Sequence, residues 1–178
     1  MKKVIVSYSS NYGHTKKYAE YIAEKLNCPI VKFEGTRIKD YNDYDIIIYC
    51  APIKNNMIWN CYKFTYNFDL LNPDTKLFVF ADGMLPPSRE LLEGIVRENF
   101  YREDAEKVKF FYGEGGLDIS KITWTDTLHL RYYIEQGLKA KPGERYYELA
   151  KIIGEAFDHT DMAYADKLIA EVRKTLDE

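Results

Sequence analysis

KVIVSYSSNYGHTKKYAEYIAEKL, residues 3 to 26, decides how the rest of the chain is read. Lys3 to Tyr8 is a short β-branched run, the composition of a strand buried on both faces. From Thr15 onward Ala19, Ile22, Ala23 and Leu26 fall on one helical face, and Lys16, Lys17, Glu20 and Glu24 take the other. Between the two lie Ser9, Ser10, Asn11, Tyr12, Gly13 and His14, almost all polar. A helix that opens there presents unpaired N–H groups and about half a positive charge. Ser10 and Thr15 add hydroxyls, Asn11 an amide, and Gly13 lets the backbone approach a ligand. Those are the requirements of an anion cradle. An ordinary capped helix is the other reading, since Ser, Asn and Thr are common caps. The turn is not a P-loop, because no Gly-Lys-Ser/Thr ends it, and a single glycine does not make the dinucleotide fingerprint.

Outward from this stretch, short apolar runs alternate with helical periods. Strands are expected over residues 3–8, 29–33, 45–50, 76–81 and 107–112. DIIIYC, Asp45 to Cys50, is the most apolar of them. Helices are expected after the opening turn, over Asn56–Leu71, and from Ser88 with Leu91, Leu92, Ile95 and Val96 inward. Further helices are expected over Trp124–Leu138 and Glu144–Phe157. The last starts near Thr160 or Asp161 and buries Met162, Ala165, Ile169, Val172 and Leu176. The alternation predicts an α/β fold, a parallel sheet covered on both faces with right-handed crossovers. The chain has 178 residues, which suits one domain, residues 1–178. Residues 113–159 form an aromatic helical insertion before the final helix, expected to pack at the carboxyl end or flank of the fifth strand.

Composition excludes several classes. With 46% hydrophobic and 30% charged residues the chain is globular. A net charge of −3 gives no argument for nucleic acid or an anionic membrane. Cys28, Cys50 and Cys61 form no CxxC pair and read as reduced thiols in a cytoplasmic protein. The three histidines have no metal-ligand spacing, no run of about 18 apolar residues predicts a membrane span, and the N-terminus lacks the features of a signal peptide.

The segment ending in Gly13-His14-Thr15 resembles the phosphate-binding loop of flavodoxins, a Ser/Thr-rich turn ending in Gly-x-Thr. More closely, the chain resembles the flavodoxin-domain branch that includes menaquinone-dependent protoporphyrinogen oxidase. YSSNYGHTKKYAEYIAEKL, YCAPIK at Tyr49–Lys54 and FFYGEGGLDISKITWTDTL at Phe110–Leu128 carry that resemblance. It implies a flavodoxin-like doubly wound five-stranded parallel sheet, order 2-1-3-4-5, with helices on both faces and an FMN site built from three loops. Ser9, Ser10, Asn11, Tyr12, Gly13, His14 and Thr15 would take the phosphate. Ala51, Pro52, Ile53, Lys54 and Asn55, in a loop running to Met57, and Ala81, Asp82, Gly83 and Met84 would flank the ring. Tyr12, Met57, Trp59 and Met84 are candidates for its wall, with Trp59 read as core. His14, Asn55 and Asn56 depart from the family pattern. Asn tolerates positive φ, so a turn at 55–56 survives.

These expectations support FMN-based electron transfer or a small flavin-dependent oxidoreductase reaction, with an unidentified redox partner protein or small-molecule substrate. The alternatives are an oxidase of the protoporphyrinogen type and a non-enzymatic binding module that has lost flavin. Asp126 and His129, three apart on a helix, and Glu114 with Asp118, beside a Gly-rich turn, are weaker candidates for chemistry. The tyrosines at 132, 133, 146 and 147 read as packing or as a docking surface.

Overall fold

The structure is a computed structural model that describes residues 2–101 and 107–177. Its centre is a sheet whose main strands run parallel: β1 (Val4–Tyr8), β2 (Ile30–Lys32), β3 (Ile46–Lys54), β5 (Lys76–Gly83) and β6 (Val108–Glu114), in the order β2-β1-β3-β5-β6. Those five strands answer to the five expected in sequence, in the expected order. A short β4 (Met57–Ile58) is added antiparallel to the end of β3. The helices α1 (His14–Leu26), α2 (Tyr62–Thr65), α3 (Arg89–Asn99), α4 (Trp124–Gly137), α5 (Arg145–Ile152) and α6 (Ala163–Asp177) surround the sheet. Two small strands, β7 (Gly116–Leu117) and β8 (Phe157–Asp158), pair antiparallel apart from it.

Both faces of the sheet are buried, which is why its strands read as unbroken apolar runs. Along β3, Ile46, Ile48 and Cys50 join Tyr18, Ile22, Leu168 and Val172 from α1 and α6 on one face. Ile47 and Tyr49 point to the other, where Phe33, Tyr41, Tyr49 and Phe64 pack ring on ring with centroids 5.0–6.5 Å apart. Ser88 caps α3, accepting from the Leu91 N–H at 3.2 Å. On that helix Ile95 is fully buried, Leu91 and Leu92 are partly so, and Val96 is exposed. On α6, Ala165, Ile169 and Val172 are buried as expected, joined by Leu168 and Thr175, whereas Met162 and Leu176 are half-buried.

Two expected helices are shorter than the periodicity suggested. The helical structure in residues 56–71 is α2 and a 3-10 turn at Phe68–Leu70, after the β4 strand. Asn55, Asn56 and Asn60 sit at φ of 52°, 67° and 60°, the left-handed region that a right-handed helix cannot include. The expected helix over Glu144–Phe157 stops at Ile152, and Phe157 pairs with Leu117 instead. Among the described residues no helix is long and apolar enough to cross a membrane.

β3 and β4 form a hairpin whose last ladder pair is Lys54 with Met57. Asn55 and Asn56 are its two turn residues, and two successive positive φ values make the turn type I′. Asn56→Val should destabilise the protein by about 1–3 kcal/mol, whereas Asn56→Gly should change it little. Urea unfolding of the two variants beside the wild type checks this. Equal effects would mean that the turn does not hold its conformation.

Candidate functional site

β1 lies where the strand order reverses: β2 follows it in sequence on one side, and β3 flanks the other. Ligands of open α/β sheets bind beyond the strand carboxyl ends at such a point. The turn after β1 opens α1 there, with Gly13 as the cap residue at φ 100°. Ser10 Oγ accepts the Gly13 N–H at 3.1 Å, which folds the turn back on itself and leaves the Ser10 proton free to donate outward. The N–H groups of the first helical turn have no carbonyl four residues back.

A cleft opens against this turn. Ser10, Asn11, Tyr12, His14 and Thr15 line it from the first loop, Pro52, Ile53 and Lys54 from the end of β3, and Asp82, Gly83 and Met84 from the end of β5. The three expected segments therefore meet. Ser9, Gly13, Ala51, Asn55 and Ala81 are not in the lining. Ala51 and Ala81 are fully buried in the sheet as a parallel-ladder pair. β3 and β5 extend through residues expected to be loop, as far as Lys54 and Gly83, so the walls of the cleft are strand ends. Met57 and Trp59 lie outside the lining; they are 44% and 41% exposed, and Trp59 is not the core residue expected.

The largest departure from the sequence expectation is the far wall. Gly116, Leu117, Ile122, Asp126, His129, Leu130 and Tyr133, all from the insertion, complete the cleft. Asp126 accepts from Lys54 Nζ at 2.9 Å, from Thr123 Oγ1 at 2.9 Å and from the Tyr12 hydroxyl. Burial pushes its carboxyl up, but those three donors outweigh it and hold the pKa below the ordinary carboxylate value. Lys54 Nζ also stands 4.6 Å from the centre of the Trp59 ring. Asp126 is thus a fastener between the loop, the hairpin and α4, not a partner of His129. The sequence singles Asp126 out only by its spacing from His129 on a helix. Glu114 and Asp118 have separate partners: Tyr164 donates to Glu114 at 2.6 Å, and Asp118 accepts from the Ser120 N–H at 3.1 Å.

His14 lines the cleft and also meets the strands beyond it. Its Nδ1 lies 3.3 Å from Asp158 Oδ1 without hydrogen-bond geometry, and the ring packs on Gly116, where any side chain would collide with it. It fits the β7–β8 pair against the first loop. Lys17 bonds the same Asp158 from the next turn of α1.

At the floor of the cleft Thr15 Oγ1 donates to Asp82 Oδ1 at 2.6 Å. Asp82 is 5% exposed, and burial pushes its carboxyl up to about 6, against the smaller opposing effect of the Thr15 bond. A carboxyl whose folded pKa lies above its unfolded value binds its proton more tightly when folded, so folding loses stability as pH rises from about 4 to about 6. The loss is about 3 kcal/mol and persists above that window. Asp82→Asn, which keeps an acceptor for Thr15, should raise the melting temperature at pH 7.5 and leave it nearly unchanged at pH 4. Differential scanning calorimetry at both pH values checks this, and an equal shift at both would remove ionisation as the cause.

The family model described as a flavodoxin domain matches residues 5–142. No curated protein sequence matches the chain. Similar solved structures include oxidised flavodoxin 2 from Bacillus cereus, 17% identical, covering 63% of this chain and 84% of that one at a TM-score of 0.44. A flavodoxin from the domain Archaea is 15% identical over 93% of this chain and 98% of that one, with a TM-score of 0.41. A flavoprotein from Lactobacillus acidophilus NCFM, solved in complex with FMN, is 16% identical over 64% of this chain and 93% of that one, with a TM-score of 0.39. By the match of the family model over most of its length, the chain belongs to the flavodoxin domain family.

Proposed function

We propose that the chain binds FMN in this cleft and passes electrons through it, as a carrier or as a small flavin-dependent oxidoreductase. The observation that carries the reading is the convergence of the α1 N-terminus with the ends of β3 and β5 on one cleft. The phosphate would lie against the Ser10–Thr15 turn and the first N–H groups of α1. The ring would lie between Pro52–Lys54 and Asp82–Met84, where Ile53 and Met84 offer apolar surface and the strand ends offer backbone polar groups. FMN supplies the redox chemistry when bound, and the protein supplies position and electrostatics. No acid or base of the chain is then needed for the transfer itself.

Asp82 sets a condition on the phosphate. While its carboxylate is ionised, Thr15 spends its proton on it and has none for the ligand. Once Asp82 is protonated it can donate to Thr15 Oγ1, and Thr15 can then donate outward. Protonation also removes a like charge from the neighbourhood of a dianion. At pH 7.5, about 1.5 units above the Asp82 value, holding that proton costs about 2 kcal/mol, so Asp82→Asn should tighten FMN by up to about thirtyfold.

The test is titration of FMN and riboflavin by flavin fluorescence quenching from pH 5 to 8 in the wild type, Ser10→Ala and Asp82→Asn. Ser10→Ala should weaken FMN about ten- to a hundredfold and riboflavin much less. Asp82→Asn should flatten the pH dependence of the FMN-to-riboflavin affinity ratio. Equal weakening of both flavins, or no FMN binding by the wild type, would leave the turn as a helix cap only. The narrower oxidase reading adds one requirement, turnover of protoporphyrinogen by the FMN-loaded protein.

A further inference from the structure

The cleft does not end at Met84. Met84, Ile53, Gly83 and Tyr133 also line a smaller cavity that continues past Leu91 and Tyr112 to Arg145. Met84, Leu85, Leu91 and Arg145 in turn belong to a groove of about 520 Å³ between α3 and the start of α5. That volume lies within the range of small-molecule sites. Arg145 stands where the cavity meets the groove.

Among the described residues no acid is paired with it. The Nε of Arg145 is buried and makes no hydrogen bond within the protein, and among the described residues no salt bridge includes it. Its guanidinium lies 5.8 Å from the centre of the Tyr146 ring, a weak substitute for an anion. The acids that face the groove are mostly engaged elsewhere. Glu98 accepts from Asn56, Glu114 from Tyr164, and Glu148 from the Gly143 N–H and Lys151. Glu90 is exposed in the first turn of α3. Arg97 and His159 are the other basic residues of the lining, and His159 Nδ1 lies 3.5 Å from Glu114. The nearby hydroxyls are also committed: Tyr112 donates to the Leu85 carbonyl and Tyr133 to Asn55, each at 2.5 Å.

A partly buried guanidinium with an unused donor, beside Leu85, Leu91 and Leu149, combines a cation with an apolar wall. Arginine's planar fork matches a carboxylate, and the pairing strengthens where water is excluded. The apolar wall favours a carboxylate borne on a hydrophobic body over a bare inorganic anion. We propose that this groove is a binding site for a small aromatic or aliphatic carboxylate, held by Arg145, with its apolar body running toward Met84. That the far end of such a molecule would face the flavin rests on the functional reading above; the binding itself does not.

The probe is benzoate, compared with its neutral isostere benzamide and with inorganic phosphate. Isothermal titration should show benzoate bound at least tenfold more tightly than either. Arg145→Gln should remove that tenfold preference, with Arg145→Lys intermediate because it keeps the charge and loses the fork. In the wild type, benzoate should shift the Arg145 Nε–H signal in a proton–nitrogen correlation spectrum, and benzamide should not. Equal binding of benzoate and benzamide, an affinity indifferent to Arg145→Gln, or no benzoate binding up to about 10 mM would overturn the proposal. If circular dichroism finds Arg145→Gln unfolded, the wild-type comparison of the three probes and the Arg145→Lys variant decide it. FMN titrated into the same samples should be unaffected by Arg145→Gln. No FMN binding by the wild type, with Arg145-dependent benzoate binding intact, would sink the flavin reading and leave the groove standing.

Discussion

A carboxyl group buried at the carboxyl end of an interior strand must be partnered or protonated, and Asp82 meets that constraint through Thr15. The bond joins the first turn of α1 to the end of β5, across β3, and so fixes the phosphate-loop candidate relative to the strand ends that form the rest of the cleft. It also places a titratable group beneath the positive end of a helix. The same group that anchors the loop would compete with an anion bound there for the Thr15 donor. The geometry of the fold and the electrostatics of the ligand site are therefore coupled through one side chain.

The opposite wall depends on a second ionic contact. Lys54 ends β3, Tyr12 sits in the first loop and Asp126 lies in the first turn of α4, and the three converge. Both charged side chains of the pair are mostly buried, at 18% and 12% exposed, so removing one partner alone would strand a charge away from water. The insertion is held to the cleft by this cluster at one end. The His14–Asp158–Lys17 group holds it at the other. Between them the rings of Tyr132, Tyr133 and Tyr146, tilted or edge-on to one another, pack α4 on α5. The tyrosine cluster serves mainly as packing, and only Tyr133 of the four reaches the cleft.

Where the sequence was informative, the information was periodic or local. Five short apolar runs between helical periods are enough to specify a parallel sheet, because strands buried on both faces cannot alternate polar and apolar residues. The SSNYGHT turn was legible because a strand end, a glycine and a helix start fall within seven residues. The insertion's share of the cleft was not legible. Asp126, His129 and Tyr133 sit more than a hundred residues from Tyr12, and only tertiary packing brings them to it. The failed helix over 56–71 has a local cause that hydrophobic periodicity ignores. Two asparagines of that span, Asn56 and Asn60, adopt left-handed backbone, and each is also a residue that a helix tolerates in pattern if not in preference. Trp59 was misplaced with that helix. Once the helix is gone its ring lies near the surface beside Lys54.

The asparagine pair that departs from the flavodoxin pattern then takes on a different meaning. At Asn55 the backbone N–H donates to the Tyr133 hydroxyl at 3.0 Å, and the side-chain carbonyl accepts from the same hydroxyl at 2.5 Å. A glycine at this position would allow the turn but lose the second bond. At Asn56 the carbonyl accepts from Asn99 at 2.6 Å and the side chain donates to Glu98, both at the end of α3. The turn thus bridges α3 on one side and α4 on the other. Glycine supplies only conformational freedom, whereas asparagine supplies that freedom together with a polar side chain. The tip keeps these partners although Asn55 is exposed and Asn56 only half-buried. Asn55 is thus tied to α4 and Asn56 to α3, and the two residues by themselves give no reason to discard the candidate site.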